Sequence, residues 1–310
     1  MVKNMKEGYF MADILNFAKH VIATILTLIM LPISIMMPPT GGYEAKNPDE
    51  LKTSFTVVSD IHIEGNNFRT FKEYSEILKE VKNSKDNSTL VFTGDNTMNG
   101  QDIESIFFFG ALKAANPAKN LIVAPGNHDY ANGTGGYETM YKRFRSYSDF
   151  AGCKADANNF YKVIDGYYFI VLSTESDSVN GIDISDEQLN WLKGLLDEAS
   201  KENKPIFVFS HHPVNYVEVG ASDRLSSVLD DYEDVLFFCG HTHFALSDSS
   251  VATVNGVKQI NLPKATEHAV EGYEPGIGAV VEVYENEVLV RFRDFDDGEW
   301  VEGYEYTFAY

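Results

Sequence analysis

The stretch APGNHDY, Ala124 to Tyr130, decides how this chain is read. It follows the apolar run Leu121 to Val123 with a glycine, an amide, an imidazole and a carboxylate in immediate succession. A solvated turn is satisfied by Ser, Lys or Glu, so this composition raises the question of whether several of these groups converge on something. The same arrangement recurs along the chain. FTVVS precedes Asp60, TLVFT precedes Gly94, YYFIVLS precedes Thr174, IFVFS precedes His211 and VLFFC precedes Gly240. Each apolar run reads as a buried strand. Between them, Phe68, Phe71, Ile77, Leu78 and Val81 recur at helical spacing. Ser185 and Gln188 read as a capping box ahead of LNWLKGLL, in which Leu189, Leu192 and Leu196 face one way. Strands alternating with helices predict an α/β protein with helices layered over sheet.

The last third of the chain changes character. SVATVNGVKQINL carries Asn255-Gly256 between two β-like runs, and GAVVEVYENEVLVRF reads as a second hairpin. Consecutive antiparallel strands here predict a second sheet packed on the first. No internal repeat or low-complexity segment interrupts the pattern, so residues 49–310 read as one catalytic domain, preceded by a separate segment, 1–48.

Composition bounds the possibilities further. The 310 residues are 44% hydrophobic and 13% aromatic, ample for a packed core. A net charge of −21 repels nucleic acid and anionic lipid, which argues against a nucleic-acid-binding module. A small phosphorylated substrate remains compatible with it, because bound cations invert the sign locally. Cys153 and Cys239 are too few for a disulfide framework or a thiolate zinc site, although one bridge between them stays open. Val21 to Met37 is an uncharged apolar run behind Lys3, Lys6 and Lys19 and ahead of the Pro/Gly-containing linker 38–48. It reads as an uncleaved signal-anchor, with a cleaved export signal or a packed hairpin as alternatives. The basic residues before it predict an amino end inside and an extracytoplasmic catalytic domain held at the membrane.

The strand-end clusters form a set: Asp60-Ile61-His62, Gly94-Asp95-Asn96, Gly126-Asn127-His128-Asp129, His211-His212-Pro213 and Gly240-His241-Thr242-His243. Residues just past the carboxyl ends of strands in α/β sheets share one crevice. Six of the eight histidines fall in these clusters, leaving His20 and His268 elsewhere. Scattered structural histidines are rarely so concentrated. Asp-x-His and His-x-His on an extended segment point two side chains the same way, a chelating arrangement. Oxygen and imidazole donors without thiolate favour Mn, Zn or Fe. Glycine before Asp95, Asn127 and His241 permits close backbone approach.

In this order, Asp-x-His, Gly-Asp-Asn, Gly-Asn-His-Asp, His-x-Pro and Gly-His-Thr-His resemble the five blocks of the calcineurin-like metallophosphoesterase superfamily, spanning Asp60 to His243. The resemblance implies a four-layer αββα sandwich of two mixed β-sheets flanked by helices, and two metal ions. It implies Asp60, His62 and His243 on the first metal, Asn127, His211 and His241 on the second, and Asp95 bridging. His128 then sits beside the pair as an unligated general acid, while a hydroxide between the metals attacks phosphorus. Three residues after the bridging aspartate, purple acid phosphatases have a metal-binding tyrosine and protein Ser/Thr phosphatases an aspartate that pairs with the acid histidine. Here the position is Met98, so the chain looks closer to the small bacterial phosphodiesterase and phosphatase branch.

Other polar residues read as structural. Asp129 supports the turn by hydrogen bonding, and His212 stands behind His211. His268 reads as a surface or core histidine, and Lys142, Arg143 and Arg145 as a solvated helix face. The leading function is hydrolysis of phosphate mono- or diesters. A non-catalytic binding scaffold of the same fold and a metal hydrolase of another bond, such as an amide, are the alternatives; the scaffold predicts lost ligands, and none is lost.

Overall fold

The computed structural model describes residues 41–130, 135–155, 157, 159–216, 222–266 and 276–310. The apolar run Val21 to Met37 and the histidines His20 and His268 lie outside them. Among the described residues no helix is long and apolar enough to cross a membrane.

Among the described residues, twelve strands form two mixed sheets. The first contains β1 (Thr53–Val58), β2 (Thr89–Phe92), β3 (Asn120–Val123), β10 (Ile277–Val283), β11 (Glu287–Asp294) and β12 (Glu299–Ala309), in the order β12-β11-β10-β1-β2-β3. The second contains β4 (Phe160–Ile164), β5 (Tyr167–Val171), β6 (Ile206–Phe209), β7 (Val235–Cys239), β8 (Val251–Val254) and β9 (Val257–Asn261), in the order β4-β5-β6-β7-β9-β8. Strands β1, β2 and β3 are mutually parallel, as are β5, β6, β7 and β9, while β4, β8 and the β10–β12 meander join antiparallel.

The hairpins expected near the carboxyl end are present, with Asn255 and Gly256 at positive φ in the β8–β9 turn. They do not build a second sheet of their own. The β8–β9 hairpin extends the sheet of β5–β7, and β10–β12 extend the sheet of β1–β3. The central parallel strands are buried on both faces, so each forms a nucleus to which antiparallel strands add at an edge.

Alternation assigns each strand to two cores. In β1, Phe55 and Val57 point between the sheets and Val58 points to the helices. In β6 and β7, Phe207, Phe209, Leu236 and Phe238 point between the sheets, and Ile206, Val208, Val235 and Phe237 point outward. Helices α1 (Phe68–Asn83), α2 (Asp102–Ala115) and α4 (Tyr137–Ala151) supply the outer layer of the first sheet, and α5 (Asp186–Ala199) with α6 (Ser222–Leu229) that of the second; α3 (Asn127–Tyr130) is a single turn. The result is the expected αββα sandwich. Phe55 is its central joint: its ring meets Phe207 at 4.7 Å, Phe169 at 4.9 Å, Phe238 at 6.1 Å and Phe209 at 6.3 Å, all edge-on and all from the other sheet.

Several local details differ from the sequence pattern. Ser185 caps α5 by accepting from the Gln188 N–H, but the Gln188 amide does not return to the cap. It bonds both backbone groups of Ser173 instead, tying α5 to the end of β5. Phe68, at helical spacing with the core residues of α1, is the first residue of the helix and is exposed. Arg143 donates to the Gly100 carbonyl at 2.9 Å and lies 3.4 Å from Asp102, and Arg145 donates to the Ala155 carbonyl, so neither is simply solvated. Cys153 and Cys239 are both buried free thiols. Tyr43 to Asn47, on the linker side of the boundary drawn at 48, pack onto the first sheet. The Tyr43 ring is edge-on to Trp300 and Phe295, and the Lys46 N–H reaches Glu282 at 2.8 Å.

Truncating the inter-sheet joint removes contacts from both layers at once. Phe55→Ala should lower unfolding free energy by about 3–5 kcal/mol, measured by urea denaturation.

Candidate metal centre

The two halves of the site come from different sheets. Asp60 and His62 follow β1, Asp95 follows β2, and Asn127 with His128 opens α3 after β3. His211 follows β6, and His241 and His243 follow β7. All five loops leave the carboxyl ends of parallel strands, and face-to-face packing brings them to one seam.

Strand alternation is not what aims the pairs. Asp60, His62, Asp95, His241 and His243 all have left-handed backbones, with φ between 48° and 71°. The chain leaves each strand by a sharp left-handed turn, so the Asp-x-His and His-x-His pairs converge by curling rather than by extension. Such conformations cost about 1–3 kcal/mol each and persist only where their surroundings hold them. Two glycines permit the crowding. A Cβ on Gly126 would lie 2.1 Å from Asp95 Oδ1, and one on Gly240 would lie 1.9 Å from Ser59 Oγ and 2.4 Å from Asp60 Oδ2.

Each carboxylate has one oxygen anchored and one presented. Asp60 Oδ2 accepts from the His241 N–H at 3.1 Å, leaving Oδ1 at 2.9 Å from His243 Nε2 and 3.6 Å from His62 Nε2. Asp95 Oδ1 accepts from the His128 N–H at 2.8 Å, leaving Oδ2 at 3.1 Å from His211 Nε2 and 3.6 Å from His62 Nε2. Asn127 Oδ1 lies 3.0 Å from His241 Nδ1. Two groups of donors result, Asp60, His62, Asp95 and His243 in one and Asp95, His211 and His241 in the other, with the atoms of each within 4.8 Å. Asp95 belongs to both.

The electrostatics fit a cation. Burial raises the Asp60 carboxyl, but the His243 and His62 contacts and the His211 charge outweigh it and hold it well below the usual carboxylate range. Asp95 is likewise held low against its burial by His211 and His62. Burial depresses His62, and it takes His241 down to about 4, so both are neutral at pH 7. His211, despite its own burial, is pushed up to about 9 by Asp95 and Asp60. His62 Nε2 and His243 Nε2 approach to 3.0 Å, and both ring nitrogens of His211 lack an aligned hydrogen-bond partner. Crowded imidazoles, carboxylate oxygens and orphaned nitrogens suit divalent cations bound by N and O donors, without thiolate.

The neighbouring residues have distinct surroundings. His128 is part-exposed; its Nδ1 donates to the Met98 carbonyl at 2.7 Å and its Nε2 lies 4.0 Å from Asp95 Oδ2. The Met98 main-chain carbonyl thus orients His128, a contact for which sequence carries no signal. Asp129 is a cross-link between loops. One of its oxygens accepts from Gly126 N at 2.8 Å, Asn96 N at 3.2 Å and Asn96 Nδ2 at 2.9 Å, and the other from Thr97 N at 3.0 Å and Thr97 Oγ1 at 2.8 Å. Burial and the nearby Asp95 charge raise its carboxyl to about 6. His212 is buried against His241, ring centres 4.5 Å apart, and burial holds it well below the usual histidine range.

The profile described as "Calcineurin-like phosphoesterase" matches residues 53–245, more than half of the chain and every cluster above. The chain belongs to the calcineurin-like phosphoesterase family. It is accordingly a metallophosphoesterase, an enzyme of metal-dependent phosphoester hydrolysis. No curated protein matches it significantly. Among solved structures it is similar to a dimetal phosphatase from Danio rerio, at TM-score 0.58 and 18% identity, covering 84% of this chain and 99% of that one. It is more distantly similar to the sulfate thiohydrolase SoxB of Thermus thermophilus, at TM-score 0.48 and 11% identity, covering 86% of this chain and 59% of that one. At such identities the phosphatase likeness speaks for the shared fold.

Metal binding to the folded state alone should raise stability. At a metal concentration a hundredfold above its Kd, one ion contributes about 2.7 kcal/mol. Mn²⁺ should therefore raise Tm by roughly 5–10 °C over EDTA-treated protein, read by scanning calorimetry.

Proposed function

We propose that this phosphoesterase hydrolyses a small phosphorylated substrate at a dinuclear centre. In this reading Asp60, His62 and His243 hold one metal, Asn127, His211 and His241 the other, and Asp95 both. The observation that carries it is Asp95 itself. It is a buried carboxylate with one oxygen anchored by the His128 N–H and the other facing two separate imidazole groups. Manganese, iron and zinc all suit the donor set. When bound, two such cations acidify water and neutralise the phosphate oxygens as charge builds during in-line attack.

The chain's own groups supply the remainder. Asp60 and Asp95 are held by backbone N–H groups, so their presented oxygens are positioned before any ligand arrives. Because the Met98 carbonyl accepts from His128 Nδ1, the Nε2 edge is the one turned toward Asp95 and available to protonate a departing alkoxide. His128 is 28% exposed, which leaves the departing alcohol a route outward. Asp129 touches neither presented oxygen and keeps the two loops in register. We further propose that the apolar run Val21 to Met37 holds the catalytic domain at the outer side of a membrane, and that the substrate is not a nucleic acid, given the net charge of −21.

The division of labour between neighbours is testable. His128→Ala should retain both metals while lowering kcat by about 10²–10⁴-fold, and Asn127→Ala should lose up to one equivalent of metal by elemental analysis. Equal metal loss in both variants would overturn the assignment. The full chain with Mn²⁺ should hydrolyse p-nitrophenyl phosphate, bis-p-nitrophenyl phosphate or both, and Asp95→Asn should abolish turnover and weaken metal binding. Failure on both substrates, with Asp95→Asn binding metal as well as the parent does, would sink the catalytic reading.

A further inference from the structure

The large exposed apolar side chains are not scattered. Among the described residues they are Phe68, Ile103, Tyr161, Val163, Val179, Tyr216 and Phe244. Tyr161 and Val163 lie on the edge strand β4. The other five lie on loops or helix starts that follow the carboxyl ends of β1, β2, β5, β6 and β7, the end of the sandwich where the metal-ligating loops meet. Tyr216 lies edge-on to His241, with ring centres 5.8 Å apart, and Phe244, which directly follows His243, is 56% exposed. On the first-sheet side, the Ile103 side chain approaches the β1–α1 loop at Gly65.

Isolated exposed apolar residues need no explanation, but Tyr216 and Phe244 adjoin the metal-ligating His241 and His243 and give the polar centre an apolar rim on that side. Three arginines, on α1, α4 and α6, are already ion-paired. Arg69 pairs with Glu73, Arg143 with Asp102 and Arg224 with Asp186.

We propose that the phosphate ester cleaved here is amphiphilic, with an apolar chain esterified to phosphate and seated on Tyr216 and Phe244 beside the metal centre. This rests on the phosphoesterase reading and adds the chemical class of the substrate. The phosphoryl group engages the metal centre, and the chain lies along the Tyr216 and Phe244 rings beside it. In hydrolysis, water adds to phosphorus, one P–O bond breaks and the departing alcohol takes a proton.

The test uses Mn²⁺-loaded full chain and the non-hydrolysable series methyl-, butyl- and octylphosphonate, kept below micelle-forming concentrations, with dissociation constants from calorimetry. Each methylene half-buried on the rim raises affinity by about twofold, so octylphosphonate should bind on the order of 100-fold tighter than methylphosphonate. In Tyr216→Ser/Phe244→Ser that ratio should fall to about 10 or less. In Tyr161→Ser/Val163→Ser, altered on β4, it should stay at its parental value. Alkyl p-nitrophenyl phosphates of the same chain lengths should show a parallel trend in kcat/KM. Because the phosphonates report without turnover, a missing chain-length preference is distinguishable from missing hydrolysis. Equal affinity for the methyl and octyl compounds in the parent, or an unchanged ratio in the Tyr216/Phe244 variant, overturns the proposal.

Discussion

The packing of β1 against β5, β6 and β7 through Phe55 is the contact on which the rest depends. Asp60, His62, Asp95 and Asn127 follow strands of the first sheet, and His211, His241 and His243 strands of the second. Neither sheet carries a complete donor set. Only when the aromatic layer between them closes do the carboxyl ends of both parallel cores lie side by side, and the oxygen donors of one then meet the imidazoles of the other. The hydrophobic effect that closes the layer is non-directional, but interdigitated aromatic rings have preferred edge-on geometry and so also set the register of the seam.

That convergence has costs, which the surrounding loops absorb. Two carboxylates and several imidazoles are withdrawn from water, and five of the residues carrying them stand in left-handed conformations. The anchoring N–H groups of His128 and His241 and the five contacts of Asp129 offset part of this by fixing the loops against one another. A site so constrained before any ligand binds leaves little reorganisation for the reaction itself, which is the physical advantage of storing strain there.

Much of this was legible in the chain because its signals are local. The six apolar runs are strands, the Asn255-Gly256 turn closes a hairpin, and the clusters after the strands lie together. The glycines before Asn127 and His241 occupy places where a Cβ would collide with Asp95 or Asp60. What misled was reasoning from one element at a time. Alternation suggested that Asp60 and His62 point alike on an extended segment, whereas left-handed turns aim them. Ser185 and Gln188 fit a capping box, yet the Gln188 amide finds a better partner in the Ser173 backbone. The carboxyl-terminal hairpins suggested a separate sheet, although each completes an existing one.

The sequence by itself determined the alternation of strands and helices and the clusters from which a metal centre is built, because residue type, spacing and hydrophobic period are properties of neighbouring positions; the order of those clusters carried the resemblance that implied the αββα layering. Only the tertiary structure decided that Asp95 is shared between two imidazole groups and that the Met98 carbonyl orients His128. It also decided that Asp129 ties two loops rather than one turn, and that the Tyr216 ring lies edge-on to His241. These are relations between chain segments tens to hundreds of residues apart, and they come into being when the two sheets pack.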